Sequence, residues 1–227
     1  MSTLRGILGN LDWSYLGDLL LQVIPALLCI MVHEICHGAA AYALGDRTAA
    51  TQGRLSLNPL HHIDWFGLLM LAVFHFGWAK PVNVDMRNFK NPKRDMAITA
   101  LAGPASNFVL AALLLLLFGF LYGSLSDSGV GSFFLRLMNT AAYLSIALGL
   151  FNLIPFPPLD GSKVLFAFLP DKAYLRLMMW ERYGMIVLIV LVLLMNRLFA
   201  VSPVSAAAEA VYRVFFRIAV FADSLVG

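Results

Sequence analysis

The stretch MVHEICHGAAAYALGD, Met31–Asp46, places two histidines and a glutamate inside an otherwise apolar segment. The surrounding segment, Leu16–Leu44, has few polar residues, and as a helix it would be about 43 Å long at about 1.5 Å per residue. That length is enough to cross a hydrocarbon core of about 30 Å. Ionisable side chains in a spanning helix are costly and usually mark a functional site. This stretch therefore decides both the fold class and where a site should be sought.

The composition of the whole chain indicates a lipid environment. Its 227 residues are 60% hydrophobic and only 13% charged, and the mean hydropathy is +0.80. Soluble domains carry about 25% charged residues, so these few polar groups cannot cover the apolar surface. The length predicts one integral-membrane domain over residues 1–227, with a core at 16–165 and C-terminal helices at 176–227. The net charge of +3 and the lack of a basic tract argue against nucleic-acid binding.

Further apolar segments follow along the chain. Met96–Tyr122 and Phe133–Ile154 are long enough to span a bilayer, and Tyr183–Phe199 is a fourth candidate span. The last segment, Ser202–Gly227, has the mixed composition of an amphipathic helix, and we expect it to lie in the membrane interface. The pattern predicts an all-α polytopic membrane protein.

Two shorter segments predict additional structure at the membrane. Trp65–Trp78 is apolar but too short for a straight span, which favours a re-entrant or interfacial segment. In Pro81–Asp85 two valines alternate with polar residues after a proline, as in an edge strand. Arg54–Asn58 alternates in the same way. We therefore expect a small membrane-associated β-sheet with an exposed edge strand.

The distribution of lysine and arginine predicts the orientation. Asp46–Asp95 carries seven of these residues and Ser162–Arg182 carries four, whereas Gly123–Ser132 carries none. Short cytoplasmic loops are enriched in lysine and arginine. The first two stretches are therefore predicted to be cytoplasmic, and a site near the end of the first span would be reached from that side.

His33, Glu34 and His37 spell H-E-x-x-H. On a helix, residues four apart share a face, so both imidazoles can reach one metal ion. Zinc suits two nitrogens and one oxygen and leaves a fourth position for water. Glu34 lies about 100° around the helix from His33 and could take a proton from that water. The motif predicts one zinc ion per chain with Glu34 as general base.

A catalytic zinc ion needs a third protein ligand. The candidates are His61, His62, Asp64, His75, Asp85 and Asp160. Asp160 is favoured because the prolines of LIPFPPLDG, residues 153–161, end the third span and free the chain to turn the carboxylate inward. Gly161 would permit a tight backbone conformation there. His61 and His62 lie in a polar loop and are expected to be solvated.

Five motifs occur in a fixed order between Val32 and Leu165: HEICHG, NPLHHID, AKPVNVDMRNFKNPKRDMA, AGPASN and FNLIPFPPLDGSKVL. In this order they resemble the site-2 protease family of intramembrane zinc metalloproteases, and most closely its compact prokaryotic branch without PDZ or CBS domains. The resemblance implies a fold with a core of three transmembrane helices and additional helices around it. It also implies that His33, His37 and Asp160 bind zinc and that Glu34 is the general base.

The same resemblance implies a function and a location. Site-2 proteases cut transmembrane segments of membrane proteins that another protease has already trimmed. The resemblance to the prokaryotic branch implies that this chain lies in the inner membrane of a prokaryotic cell. The alternative is a membrane metal transporter or sensor that uses the same ligands without hydrolysis. A glutamate in the position of a base and the lack of an internal repeat favour the protease.

Several further residues are candidates for substrate contact. Asn152 precedes the L-D-G motif and could bind the substrate backbone or the oxyanion, or else a neighbouring helix. The predicted edge strand could hold an unwound substrate by strand addition, or could be an ordinary shielded sheet edge. Its residues are Pro81, Val82, Asn83 and Val84. In AGPASN, Gly103 is expected to allow close helix contact, and Asn107 could tie two helices together.

Overall fold

A computed structural model describes residues 13–58, 61–62, 64, 67, 80–198 and 203–226. These residues form seven α-helices and one short 3-10 helix, Met86–Asn88. The α-helices are α1 (Trp13–Ala43), α2 (Thr48–Thr51), α3 (Pro92–Leu125), α4 (Gly129–Asn152), α5 (Asp160–Ala167), α6 (Asp171–Leu198) and α7 (Pro203–Asp223). The predicted helical fold is confirmed.

Three of these helices are long and apolar enough to cross a membrane. They are Gly17–Ala43 within α1, Pro92–Leu125 and Gly129–Asn152. They match the first three predicted spans, so the chain is an integral membrane protein with three candidate spanning helices. The fourth predicted span falls within α6 as far as Leu198.

Helix α3 lies at the centre of the molecule and contacts α1, α4, α5 and α7. Its buried face repeats every four residues and consists mainly of small side chains: Gly103, Asn107, Ala111, Leu115 and Gly119. Its outward face carries large aliphatic side chains, including Val109, Leu113 and Leu117. Small residues at helix contacts and large apolar residues on the outside are typical of a helix bundle in lipid.

Helix α7 packs along the second and third spans. Ala219 lies in one apolar cluster with Leu115 of α3 and Ile146 of α4. A Cβ atom at Gly119 would lie only 2.1 Å from the carbonyl oxygen of Ala219, so the two helices touch backbone to backbone. The Tyr212 hydroxyl also donates a hydrogen bond to Asn139 of α4. The interfacial position expected for this last helix stays a prediction.

The predicted β-sheet is wrong for the described part of the chain, in which no residue is in a strand. Arg54–Asn58 continues the turn after α2, where Gly53 has a φ of +68° and the Arg54 amide donates to Ala49. Residues 80–85 are irregular, and two of their amides donate to carboxylates of the α1 region instead of to a strand. Apart from Gly67, the segment Trp65–Trp78 lies outside the described residues, so its re-entrant path stays a prediction.

Residues 80–88, which we call the strap, are fastened to the end of α1 by Asp46. This carboxylate is fully buried. Its Oδ2 accepts a hydrogen bond from the Asp85 amide at 2.8 Å, and its Oδ1 accepts from Asn88 Nδ2 at 2.7 Å and from Thr48. Burial alone would raise the pKa of Asp46, but these hydrogen bonds favour the ionised form and the net pKa is lowered.

Candidate metal centre

The H-E-x-x-H motif lies on α1 with both histidines turned into the bundle. His33 and His37 are buried, and their Nε2 atoms are 2.9 Å apart. The spacing of four residues places the rings one above the other on the same helix face. The two imidazoles therefore present their nitrogens to one point, as the sequence predicts.

Helix α3 approaches these rings through Gly103. A Cβ atom there would lie 2.4 Å from His37 Nε2 and 2.7 Å from His33 Cε1. No side chain fits at that separation, so the glycine is needed for the imidazoles to occupy this position. The predicted close helix contact at Gly103 is confirmed, and it is a contact with the histidines themselves.

Asp160 completes the group. It is the first residue of α5, and its Oδ2 lies 3.1 Å from His33 Nε2 and 3.0 Å from His37 Nε2. A Cβ atom at Gly161 would lie 2.2 Å from the Leu153 carbonyl oxygen. Gly161 thus allows a close approach of the backbone to Leu153.

The three ligand atoms fit a zinc ion. All three lie within 4.8 Å of one another, and no other such group of His, Cys, Asp or Glu occurs among the described residues. Tetrahedral zinc with bonds of about 2.0–2.2 Å holds its ligand atoms about 3.3 Å apart. The observed separations of 2.9–3.1 Å are only a few tenths of an ångström shorter. Two nitrogens and one carboxylate oxygen with one position left open is the donor set of a catalytic zinc site.

Each ligand also has a partner on its far side. His37 Nδ1 donates to the carbonyl oxygen of Thr99 at 2.7 Å, which leaves Nε2 free for a metal. His33 Nδ1 faces the side-chain amide of Asn107 at 3.1 Å. The second oxygen of Asp160 lies 3.7 Å from the Lys163 ammonium.

Lys163 connects the site to α6, because its ammonium also lies 3.6 Å from Glu181 Oε1. The ammonium beside Asp160 Oδ1 favours the ionised carboxylate, which is the form that a zinc ligand needs.

Glu34 lies beside the ligand group and is held by the strap. Its Oε2 accepts a hydrogen bond from the Val82 amide at 2.7 Å. The Val82 amide is therefore not free to pair with a substrate strand in this conformation. The bond holds one oxygen of the carboxylate in place.

The remaining substrate-contact candidates lie around the site without joining the ligand group. Asn83, next to Pro81 and Val82, donates its side-chain amide to Gln52 at 2.9 Å, and Val84 packs against an apolar cluster at the end of α1. Asn152 donates to the Leu148 carbonyl at 3.0 Å within its own helix. The substrate-binding role of these residues stays a prediction.

None of the other ligand candidates that the structure describes joins this group. His61 is exposed as expected, but His62 is buried and its Nε2 lies 2.8 Å from the Ser56 carbonyl oxygen, so the expectation that it is solvated was wrong. Asp85 forms a surface ion pair with a neighbouring arginine, and His75 lies outside the described residues.

Thr99 and Lys163 are partners of the ligands that the sequence motifs did not indicate. Thr99 acts through its backbone carbonyl, which has no sequence signal. Lys163 is one helical turn after Asp160, and that spacing was the available signal.

Comparisons with known proteins agree with this geometry. "Putative zinc metalloprotease YwhC" of Bacillus subtilis (strain 168) is 38% identical over 175 residues, which cover 74% of this chain and 78% of the relative. The chain belongs to peptidase family M50. The profile of that family matches residues 122–196, which include Asp160. "Putative zinc metalloprotease Rip2" of Mycolicibacterium smegmatis is 32% identical over 185 residues, 79% of this chain and 69% of the relative.

Membership of family M50 confirms the resemblance to the site-2 proteases and the assignment as a metalloprotease that uses zinc. Within the described residues of this M50 protein, the group that can hold the ion is His33, His37 and Asp160. No solved structure matches the chain significantly.

Proposed function

We propose that this M50 protein is an intramembrane endopeptidase that cleaves the transmembrane segments of other membrane proteins. The observation that carries the proposal is the position of the two histidines of the ligand group within the candidate span of α1. Ten residues of α1, about 15 Å of helix, separate His33 from the end of the helix at Ala43. A metal centre at that depth is suited to peptide bonds that lie inside the bilayer.

The residues of the site have distinct roles in this proposal. Zinc, when bound, would supply Lewis acidity to the scissile carbonyl and to a water molecule. Glu34 takes the proton of that water and passes it to the leaving amine. The Val82 amide holds Glu34 Oε2 and so orients the other carboxylate oxygen toward the water molecule. Lys163 offsets the charge on Asp160 Oδ1 and so leaves Oδ2 to face the two histidines.

The substrate and the location follow from the same proposal. The ligand group lies near the end of α1, which leads into the stretch rich in lysine and arginine, so the site is reached from the cytoplasm. The protein would lie in the inner membrane of a prokaryotic cell, and its partner would be a single-span protein already trimmed by another protease. A helical substrate must unwind to expose its backbone, and in this proposal the strap with Pro81–Val84 and Asn152 contact it.

The test is a comparison of wild type with Glu34→Gln in proteoliposomes that carry a single-span reporter protein. We expect both proteins to contain about one zinc ion per chain and only the wild type to cleave. Glutamine keeps the size and the acceptor for the Val82 amide but cannot act as a base. Undiminished cleavage by Glu34→Gln would exclude Glu34 as the base, whereas zinc in both with metal flux across the bilayer and no cleavage would favour a transporter.

A further inference from the structure

We infer that Asn107 is a positioning residue for the metal centre, whose side-chain carbonyl accepts a hydrogen bond from His33 Nδ1 and so keeps His33 Nε2 unprotonated for the metal. The inference rests on the proposed function only in that His33 binds zinc. Asn107 is completely buried on the face of α3 that meets α1. In the structure its side-chain nitrogen Nδ2 lies 3.1 Å from His33 Nδ1, and the inference requires the amide to be rotated by 180°.

The chemistry of the imidazole decides which end of the amide must face it. In a neutral ring, one nitrogen carries the proton and the other carries the lone pair. Nε2 of His33 points at Asp160 Oδ2 and at Nε2 of His37, where a metal ligand needs its lone pair. Nδ1 must then carry the proton and needs an acceptor. The amide nitrogen of Asn107 cannot accept, whereas its oxygen can.

The second histidine shows the same arrangement without ambiguity. His37 Nδ1 faces the carbonyl oxygen of Thr99 at 2.7 Å, and a carbonyl can only accept. Helix α3 thus supplies an acceptor to each ring, one from its backbone and one from a side chain. Partners of this kind fix the tautomer and the orientation of histidine ligands.

Nothing in the described surroundings holds the amide with its nitrogen toward His33. Asn107 Oδ1 is buried and has no hydrogen-bond partner among the described residues. The two ends of an amide have nearly the same shape, so a rotation by 180° exchanges them without repacking. That rotation breaks no hydrogen bond of Oδ1, and metal binding at His33 selects the orientation in which the oxygen faces the ring.

The test measures zinc affinity by competition with a chromophoric chelator, using the purified full chain in detergent and no substrate. Asn107→Leu keeps the branched shape and the number of side-chain heavy atoms and removes the acceptor, and we expect a loss of about 10- to 100-fold in affinity. Asn107→Asp restores an acceptor in the same place and should bind within a few-fold of wild type. Ser145→Ala is the matched structural control, because Ser145 donates to the backbone carbonyl of Asn107 at 2.9 Å and forms no hydrogen bond with His33.

The inference is overturned if Asn107→Leu binds zinc as tightly as wild type, or if Asn107→Asp and Ser145→Ala lose as much affinity as Asn107→Leu. The second result would assign Asn107 to helix packing alone. The zinc measurement uses no substrate, so its result does not depend on proteolysis. A wild-type protein that binds zinc but cleaves no reporter in the proteoliposome assay would contradict the proposed protease function and leave this inference standing.

Discussion

Gly103 is the residue at which the packing of the two histidines against α3 can be tested most sharply. A methyl group there would overlap both imidazole rings, at 2.4 Å from one and 2.7 Å from the other. The histidines are held between two spanning helices, so they cannot move aside without losing the convergence of their Nε2 atoms.

We therefore expect Gly103→Ala to lower zinc affinity at least tenfold and to cost about 1–3 kcal/mol of stability through overpacking. Gly123→Ala is the control, since it lies on the same helix and a Cβ atom there meets nothing within 4 Å. Zinc titration of both variants provides the measurement. A Gly103→Ala protein with wild-type zinc affinity would show that the two helices are not as close as described.

At this scale the sequence predicts the ligands but not what surrounds them. His33 and His37 are recognisable because their spacing matches the helical period, and Asp160 because prolines end the helix before it. Which residue lies behind each ring depends on how α1 pairs with α3, and that pairing is not visible in a single sequence. For this reason Asn107 could be described only as a residue that ties two helices together.

The strap contains an irregular segment for which the sequence pattern predicts an edge strand. Its alternating pattern is real, since Val82 packs near Gly38 of α1 and Val84 packs at the α1 end. Alternation reports which side chains face a neighbour, but it does not report what the backbone binds. Here the partners are the carboxylates of Glu34 and Asp46, so the segment is extended without being part of a sheet.

Asp46 gives the strap a pH-dependent attachment. Its lowered pKa means that the folded state holds the ionised form more strongly than the unfolded state does. The stabilisation is therefore fully present above the unfolded pKa of about 3.9, and it is lost as the pH falls through the lower folded value.

We expect Asp46→Asn to reduce the free energy of unfolding by about 1–3 kcal/mol at pH 7, because one amide donor of the strap loses its acceptor. Unfolding in mixed micelles between pH 8 and pH 3 provides the measurement. The difference from wild type should be constant down to about pH 5 and should shrink below it. Asp127→Asn, on the exposed turn after α3, is the control. A difference that grows as the pH falls would contradict the assignment.

For the whole molecule, hydropathy and length were enough to locate the three spans, because lipid-exposed helices must be apolar over a fixed length. Their packing order was not predictable from those quantities. It depends on the small side chains that let α1, α4 and α7 approach α3, and apart from Gly103 these look in the sequence like any other glycine or alanine.

The arrangement of the spans brings the parts of the site to one end of the bundle. The end of α1, the start of α3 and the chain after α4 meet there, because successive spans run in opposite directions. His37 meets Thr99 near the start of α3, and His33 meets Asn107 two turns further along it. His33 and His37 consequently lie within the candidate span of α1, and Asp160 reaches them from the chain that follows α4.

The most direct test of an intramembrane protease is to identify the peptide bond that it cuts. The wild-type protein would be incubated in proteoliposomes with a single-span reporter, and both product termini would be determined by mass spectrometry. We predict one main cut within the apolar segment of the reporter and no product with Glu34→Gln. Cleavage confined to the water-exposed flanks of the reporter, or the same products from Glu34→Gln, would contradict the account.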